Sequence, residues 1–351
     1  MRWWAWRRSR RLPDQREGKE EGRMVRLLSR RDVEEVLSME DCMTAVESGF
    51  AALARGEAKM PQRAAIPVED HKGLFLGMPA YIGGAGEALG LKVVTVYPNN
   101  PGRYDLPTTL GTLLLCDPAT GKVMAIMDAG YLTAMRTGAA SGVATKYLAR
   151  EDAAVGTLFG AGVQARKQVE AVHLARPLKK LYVLDISPEA RDRLIQDLGQ
   201  RLGIEMEPTD DAQTAVKEAD VIITATSSPE PIFDGRWLQP GVHVNNIGSH
   251  SPKARELDTT TVKRSRFIAD LKEANLVEAG DILLPIAEGA VGPEHIQASL
   301  GEIVIGEKPG RTAADEITVF KSCGLAIQDM ATALAVYRAA EKRGVGREVE
   351  I

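Results

Sequence analysis

The chain has 351 residues, 44% of them hydrophobic and 26% charged, with a formal net charge of −4. That balance belongs to a soluble globular protein of two domains, and its slight acidity speaks against a nucleic-acid partner. No apolar run reaches the roughly 18 residues that span a bilayer, so no membrane role is expected.

Three distant cysteines, Cys42, Cys116 and Cys323, make no CxxC pair, and five scattered histidines show no metal-ligand spacing. A cytoplasmic protein without a disulfide framework or metal site is the expectation. Residues 1–23 carry three of the four tryptophans, then dense charge. A signal peptide needs a longer apolar core. The segment reads as a disordered tail, or as an upstream start with Met24 as the usual first residue; a membrane-surface segment is the alternative.

Ser38, with Asp41 three residues later, reads as a helix cap. Met43, Val46, Phe50 and Leu53 follow at helical spacing, and Gly56 offers a stop. Between residues 62 and 127 the pattern changes to short apolar runs split by Gly, Pro and Asn: GLFLGMPAYI, LGLKVVTVY, TTLGTLLLCD and KVMAIMDA. These predict a mostly antiparallel sheet with a hairpin turn at Cys116–Val123. AMRTGAASGVATKYLA is rich in small residues and predicts a helix. Strands near 153–160, 180–186, 221–227, 243–248 and 266–271 then alternate with helices near 162–175, 187–202 and 211–218. Such alternation argues for a parallel sheet with helices on both faces. A last amphipathic helix places Ile327, Met330, Leu334 and Tyr337 on one stripe, with Gly344 beyond it.

The stretch TLFGAGVQARKQVEAV (Thr157–Val172) joins the first such strand to its helix. Gly160 allows a tight turn, Gly162 lets backbone approach a pyrophosphate, and Ala165 lets helix and strand pack closely. The helix N-terminus offers unpaired N–H groups to phosphates. Asp185 lies 25 positions after Gly160, at the end of the second strand. There it would take the ribose hydroxyls and favour NAD, a carboxylate repelling the extra phosphate of NADP. Arg191 could soften that choice, or simply lie on a solvated helix face. TATSSPEPI (Thr224–Ile232) fits a loop at the carboxyl edge of the sheet, where such ligands bind.

Dinucleotide binding does not name a reaction. In the first domain three cations sit beside apolar or glycine-bearing strands: Arg63, Lys92 and Arg136. A lysine inside a run such as LGLKVVTVY is either on an exposed face or lining a cavity.

From about Met24 to Ile351 the chain resembles the ornithine cyclodeaminase/mu-crystallin family. The likeness rests on GMPAY, GLKVVTVYPNNP, LPTTLGTLLL, MDAGYLTAMRTGAASGVATKYLA, GAGVQA, ADVIITATSS, ELD, EAGDIL, GEI and ITVFKSCGLAIQD, in that order. The resemblance implies an α/β fold with a Rossmann domain (136–319) inserted into a substrate and dimerisation domain (24–135 plus 320–351), and a homodimer. It implies that Arg63, Lys92 and Arg136 bind a substrate carboxylate, to which a planar guanidinium is suited. It sets Thr108 and Arg136 near cofactor and substrate, and Thr137, Gln164 and Ser322 beside the cofactor, which adds them to Gly160, Gly162, Ala165, Asp185 and, in the loop at the carboxyl edge, Thr226. Two positions depart from the cyclodeaminases of the family. Leu76 stands where they have a glutamate, and His250 where they have an aspartate.

The expectation is therefore an NAD-dependent oxidoreductase, with NADP as the alternative cofactor, that reduces a small imino acid. The substrate is a cyclic ketimine or the imine of pyruvate and ammonia. Lys92 is the candidate proton donor, since burial lowers a lysine pKa, and His250 is a second candidate. The alternatives are ornithine cyclodeaminase, and a non-catalytic NAD(P)-linked binding protein.

Overall fold

The computed structural model describes residues 24–351; the reading of residues 1–23 lies outside the described residues. The chain opens with strand β1 (Met24–Leu28) and helix α1 (Arg30–Val36), capped by Ser29. Helix α2 (Met39–Ala54) starts where Ser38 Oγ accepts the Asp41 N–H at 3.0 Å, as the sequence predicts, and buries Cys42, Val46 and Phe50. Strands β2 (Ala58–Lys59), β3 (Ala64–Val68), β4 (Gly73–Ile82) and β5 (Ala88–Val96) follow. After helix α3 (Asn100–Tyr104) come β6 (Thr109–Cys116) and β7 (Val123–Asp128), joined by the predicted hairpin. Strand alternation sets the core face: Leu76, Met78, Ala80 and Ile82 of β4 are buried together with Leu113 and Leu115 of β6.

Helix α4 (Gly130–Leu148) leads into the second unit. There the chain runs β8 (Val155–Phe159), α5 (Val163–Ala175), β9 (Lys180–Leu184), α6 (Pro188–Leu202), β10 (Glu205–Pro208), α7 (Ala212–Glu218) and β11 (Val221–Thr224). It continues through β12 (His243–Asn246), α8 (Thr259–Arg264), β13 (Arg266–Ala269), α9 (Lys272–Glu278), α10 (Gly280–Ala287), β14 (Ile296–Ser299), α11 (Leu300–Val304) and β15 (Thr318–Lys321). Helix α12 (Ala326–Arg343) and strand β16 (Arg347–Glu350) close the chain.

The first sheet runs β16-β1-β7-β6-β5-β4-β2, with β3 on β4, and α12 packs against β4 and β5. The second runs β10-β9-β8-β11-β12-β15-β13-β14, parallel throughout. Its order turns between β8 and β11, the switch point at which open α/β sheets bind ligands. The expected domain limits fall inside elements, residue 136 in α4 and residues 319 and 320 in β15. The small residues of α4 have a packing reason. A Cβ on Gly138 would lie 2.4 Å from the Lys167 carbonyl oxygen of α5, and one on Gly142 would lie 2.8 Å from Met43 Cε of α2. Among the described residues no helix is long and apolar enough to cross a membrane.

Candidate active site

The turn after β8 has the form a dinucleotide requires. Gly160 adopts φ +93°, and a Cβ there would come within 2.6 Å of the Ala225 carbonyl oxygen. Gly162 is the N-cap of α5, which has no side-chain cap, and a Cβ on it would meet nothing within 4 Å. The first N–H groups of that helix thus have no side-chain cap, which leaves them for a phosphate. Ala165 is fully buried against the sheet. Asp185 is fixed at the end of β9, its two carboxylate oxygens accepting from the Ala161 N–H at 2.6 Å and the Ser187 N–H at 2.7 Å. Beside it Ile186 is wholly exposed, and Val163 is 75% exposed. Two bare apolar side chains flanking an anion-binding turn suit a nucleobase. Gln164 adds a buried Oε1 with no partner. These residues fit the dinucleotide. Arg191 is not free on a solvated face: its guanidinium pairs with Asp210 at 3.0 Å.

The other predicted cofactor residues hold particular bonds. Thr226 donates its N–H and its hydroxyl to Glu256 Oε1, both at 2.7 Å. Thr137 Oγ1 donates to the Thr133 carbonyl at 2.7 Å, and Ser322 Oγ to Asp270 Oδ2 at 2.8 Å. Thr108 follows α3, where its carbonyl accepts the Tyr97 N–H at 2.7 Å.

The three cations converge on the segment 323–329. Lys92 is 1% exposed, so it does not lie on an exposed face, and its Nζ lies 2.8 Å from each Asp329 oxygen. Arg136 Nε donates to Asp329 Oδ1 at 3.0 Å, and its Nη1 to Gln328 Oε1 at 2.9 Å. Arg63 Nη2 reaches the Gly324 carbonyl at 2.8 Å and pairs with Glu278 at 2.8 Å. Among the described residues Arg136 Nη2 and Arg63 Nε and Nη1 have no protein partner. Burial, with Arg136 and Arg63 nearby, pushes the Lys92 amine down to about 8 against the upward pull of Asp329. Beside Arg63 opens a cavity of about 260 Å³, walled by Met60, Met78, Leu271, Glu278 and Leu325 among others. His250 lies exposed on the loop after β12. The surrounding protein, then Lys321 and Arg63, hold its pKa below the usual imidazole value. Leu76 is buried in the first core.

Sequence reading gave no role to the acids that organise this site. Asp329 and Glu278 stand inside quoted motifs, yet the cations alone carried the attention. Two buried cations on neighbouring elements demand a counter-charge, and the aspartate in the apolar run GLAIQD was the available signal.

A Rossmann sheet with a glycine turn after its first strand, beside a first domain that holds a buried cluster of cations, suits a nicotinamide-dependent oxidoreductase. The chain belongs to the ornithine cyclodeaminase/mu-crystallin family, whose model matches residues 23–344. It is 36% identical over 326 residues to alanine dehydrogenase of Archaeoglobus fulgidus, covering 92% of this chain and 98% of that protein. The Delta(1)-pyrroline-2-carboxylate reductase of Thermococcus litoralis, solved with NADH and L-proline, superposes with a TM-score of 0.90. It is 46% identical and spans 93% of this chain and 100% of its own. An archaeal alanine dehydrogenase dimer with bound NAD gives a TM-score of 0.88 at 36% identity, over 93% of this chain and 99% of that one.

Proposed function

We propose that this oxidoreductase reduces the C=N bond of a small imino acid, with NADH as its cofactor. The observation that carries the reading is the wholly buried Lys92, held by Asp329 beside Arg136 and near Arg63. The bound dinucleotide supplies the hydride. Arg63 and Arg136 grip the substrate carboxylate with the guanidinium N–H groups that the protein leaves unpaired. Lys92 Nζ, with a pKa of about 8, delivers a proton to the imine nitrogen and takes it back in the oxidative direction. Asp185, at the end of β9, favours NADH over NADPH. The cavity of about 260 Å³ has room for a ring, since an apolar cavity of roughly 150 Å³ holds benzene. Ornithine cyclisation is disfavoured: the acids that the resemblance leads one to expect at positions 76 and 250 are replaced by Leu76 and His250, and a second ammonium without a counter-charge costs several kcal/mol to desolvate. The intact cation cluster argues against a purely binding role.

The subunit pairs with a second copy through the open face of the first sheet. There Ile66, Phe75 and Leu110 are exposed, and cross-strand pairing through Thr95 sets them in one row. The free cysteines Cys42, Cys116 and Cys323 suit the reducing cytoplasm. The test is a panel of cyclic ketimines, pyruvate plus ammonia, and L-ornithine, followed by nicotinamide absorbance and ammonia release. Stoichiometric NADH oxidation with an imino acid is expected. Ammonia and proline from ornithine, with no imine turnover, would overturn the reading.

A further inference from the structure

We infer that Glu256 is a positioning residue for the dinucleotide: one buried carboxylate fastens the loop beside the phosphate turn to the loop that carries His250. The inference rests on the reading of the Gly160–Thr226 side of the sheet as the dinucleotide cleft. Glu256 is fully buried. Its Oε1 accepts from the Thr226 N–H and hydroxyl, both at 2.7 Å. Its Oε2 accepts from Thr224 Oγ1 at 2.8 Å, Asn246 Nδ2 at 3.0 Å and the Gly248 N–H at 2.8 Å. Those donors come from the ends of β11 and β12, two neighbours at the carboxyl edge.

The loops are interlocked around this carboxylate. A Cβ on Gly248 would lie 2.2 Å from the Thr226 carbonyl oxygen and 2.4 Å from Glu256 Oε1. One on Gly160 would lie 3.2 Å from Thr226 Cγ2. The Thr226 methyl thus borders the Gly160 turn, and where Glu256 holds Thr226 sets one wall of that turn. The anchor is itself anchored. The Glu256 N–H donates to Asp281 Oδ1 at 2.8 Å, and Asp281 Oδ2 pairs with Lys321 Nζ at 2.9 Å, all three residues being fully buried. Lys321 Nζ also donates to the Ser249 carbonyl, next to His250, and Lys321 precedes Ser322 in the chain. Thr226 thus has no free donor for a ligand. It shapes the cleft by where Glu256 holds it.

A buried carboxylate is costly unless its donors are all in place. In Glu256→Gln an amide N–H₂ faces the N–H groups of Thr226 or Gly248. Thr226→Val keeps the shape and the methyl beside Gly160 and removes the hydroxyl, one donor to Glu256 and the acceptor of the Ser228 N–H. The experiment measures NADH Kd by nicotinamide fluorescence, the NADH-induced rise in Tm, and imino-acid KM at saturating NADH. Both variants are expected to weaken NADH binding about tenfold or more, the scale of one charge-assisted hydrogen bond. The NADH-induced Tm rise shrinks, while imino-acid KM stays within about twofold, a factor worth about 0.4 kcal/mol. Unchanged NADH Kd and ligand-induced Tm rise, with only a lower Tm of the free protein, would show a purely structural role and overturn the inference. An equal rise in imino-acid KM would also overturn it, as general collapse of the site. Should Glu256→Gln fail to fold, Thr226→Val decides by the same readouts. Wild-type protein that binds NADH but turns over no imino acid refutes the proposed reaction alone; one that does not bind NADH removes the basis of both.

Discussion

Replacing Asp329 by Asn tests the proposed proton donor without touching it. Asp329 is fully buried and is the acid that Lys92 and Arg136 share. An adjacent anion favours the charged amine, so its loss lowers the Lys92 pKa. At the observed 2.8 Å, attraction between unit charges is about 6 kcal/mol at an effective dielectric of about 20 and about 1.5 kcal/mol at about 80. One pKa unit is about 1.4 kcal/mol, so the drop is about one to four units below the present value of about 8. The proposed imine reduction requires protonated Lys92, so the active fraction falls as pH rises through its pKa. At about pH 7.5 that fraction goes from about three quarters to about one quarter or less. Reductive kcat/KM therefore falls at least about threefold from protonation alone, and the alkaline limb of its pH profile moves to about pH 7 or below. Breaking a buried pair also costs about 3–5 kcal/mol of stability, a Tm loss on the order of 6–20 °C, so rates are measured well below the variant's Tm. The assay is initial NADH oxidation across pH for wild type and Asp329→Asn, with Lys92→Met as the control that removes the limb. A limb that stays near pH 8 in Asp329→Asn would refute Lys92 as the titrating donor.

Asp185→Gly should narrow the preference for NADH over NADPH at least about tenfold; identical kcat/KM ratios in wild type and variant would remove Asp185 from cofactor choice. Glu278→Gln frees Arg63 from its ion pair and should raise imino-acid KM about tenfold with NADH Kd unchanged. An unaltered KM would show that Arg63 orients without it. Ile66→Asp combined with Phe75→Asp places charges on the exposed apolar row and should halve the mass seen by light scattering. A persistent dimer would assign the interface to another face.

Local signals were legible where they repeat or punctuate. The Ser38 cap, the hairpin at Cys116–Val123 and the βαβ turn at Gly160 each combine a pattern with a specific breaker, and all three lie where expected. Strands β15 and β16 were not legible: the TVFK run of β15 ends in a lysine, and the REVE run of β16 is mostly charged and exposed. In β15 all four residues are buried, Lys321 included, and its place between β12 and β13 follows a long excursion of the chain. Lys92 could not be assigned a face, since β5 is apolar on both. Ala88, Gly90, Lys92 and Val94 are its buried side. The partner that makes Lys92 useful, Asp329, is 237 positions away, beyond any local pattern.

Helix α4 fixes how such an enzyme can change. Arg136 is joined through Asp329 to Lys92, while Gly138, two residues on, presses against the backbone of α5. The proposed grip on the acid head and the proposed seat of the dinucleotide helix are thus cut into one rigid rod, which rises about 1.5 Å and turns about 100° per residue. Inserting or deleting a single residue there would swing the arginine off its target while the glycine seam stayed put. The walls of the cavity obey no such gearing. Met60, Met78 and Leu325 come from three separate segments, none of them part of the rod. On the proposed reading the head of the substrate is held by machinery that cannot drift, so one frame can serve several amino-acid skeletons only through changes elsewhere in the cavity wall.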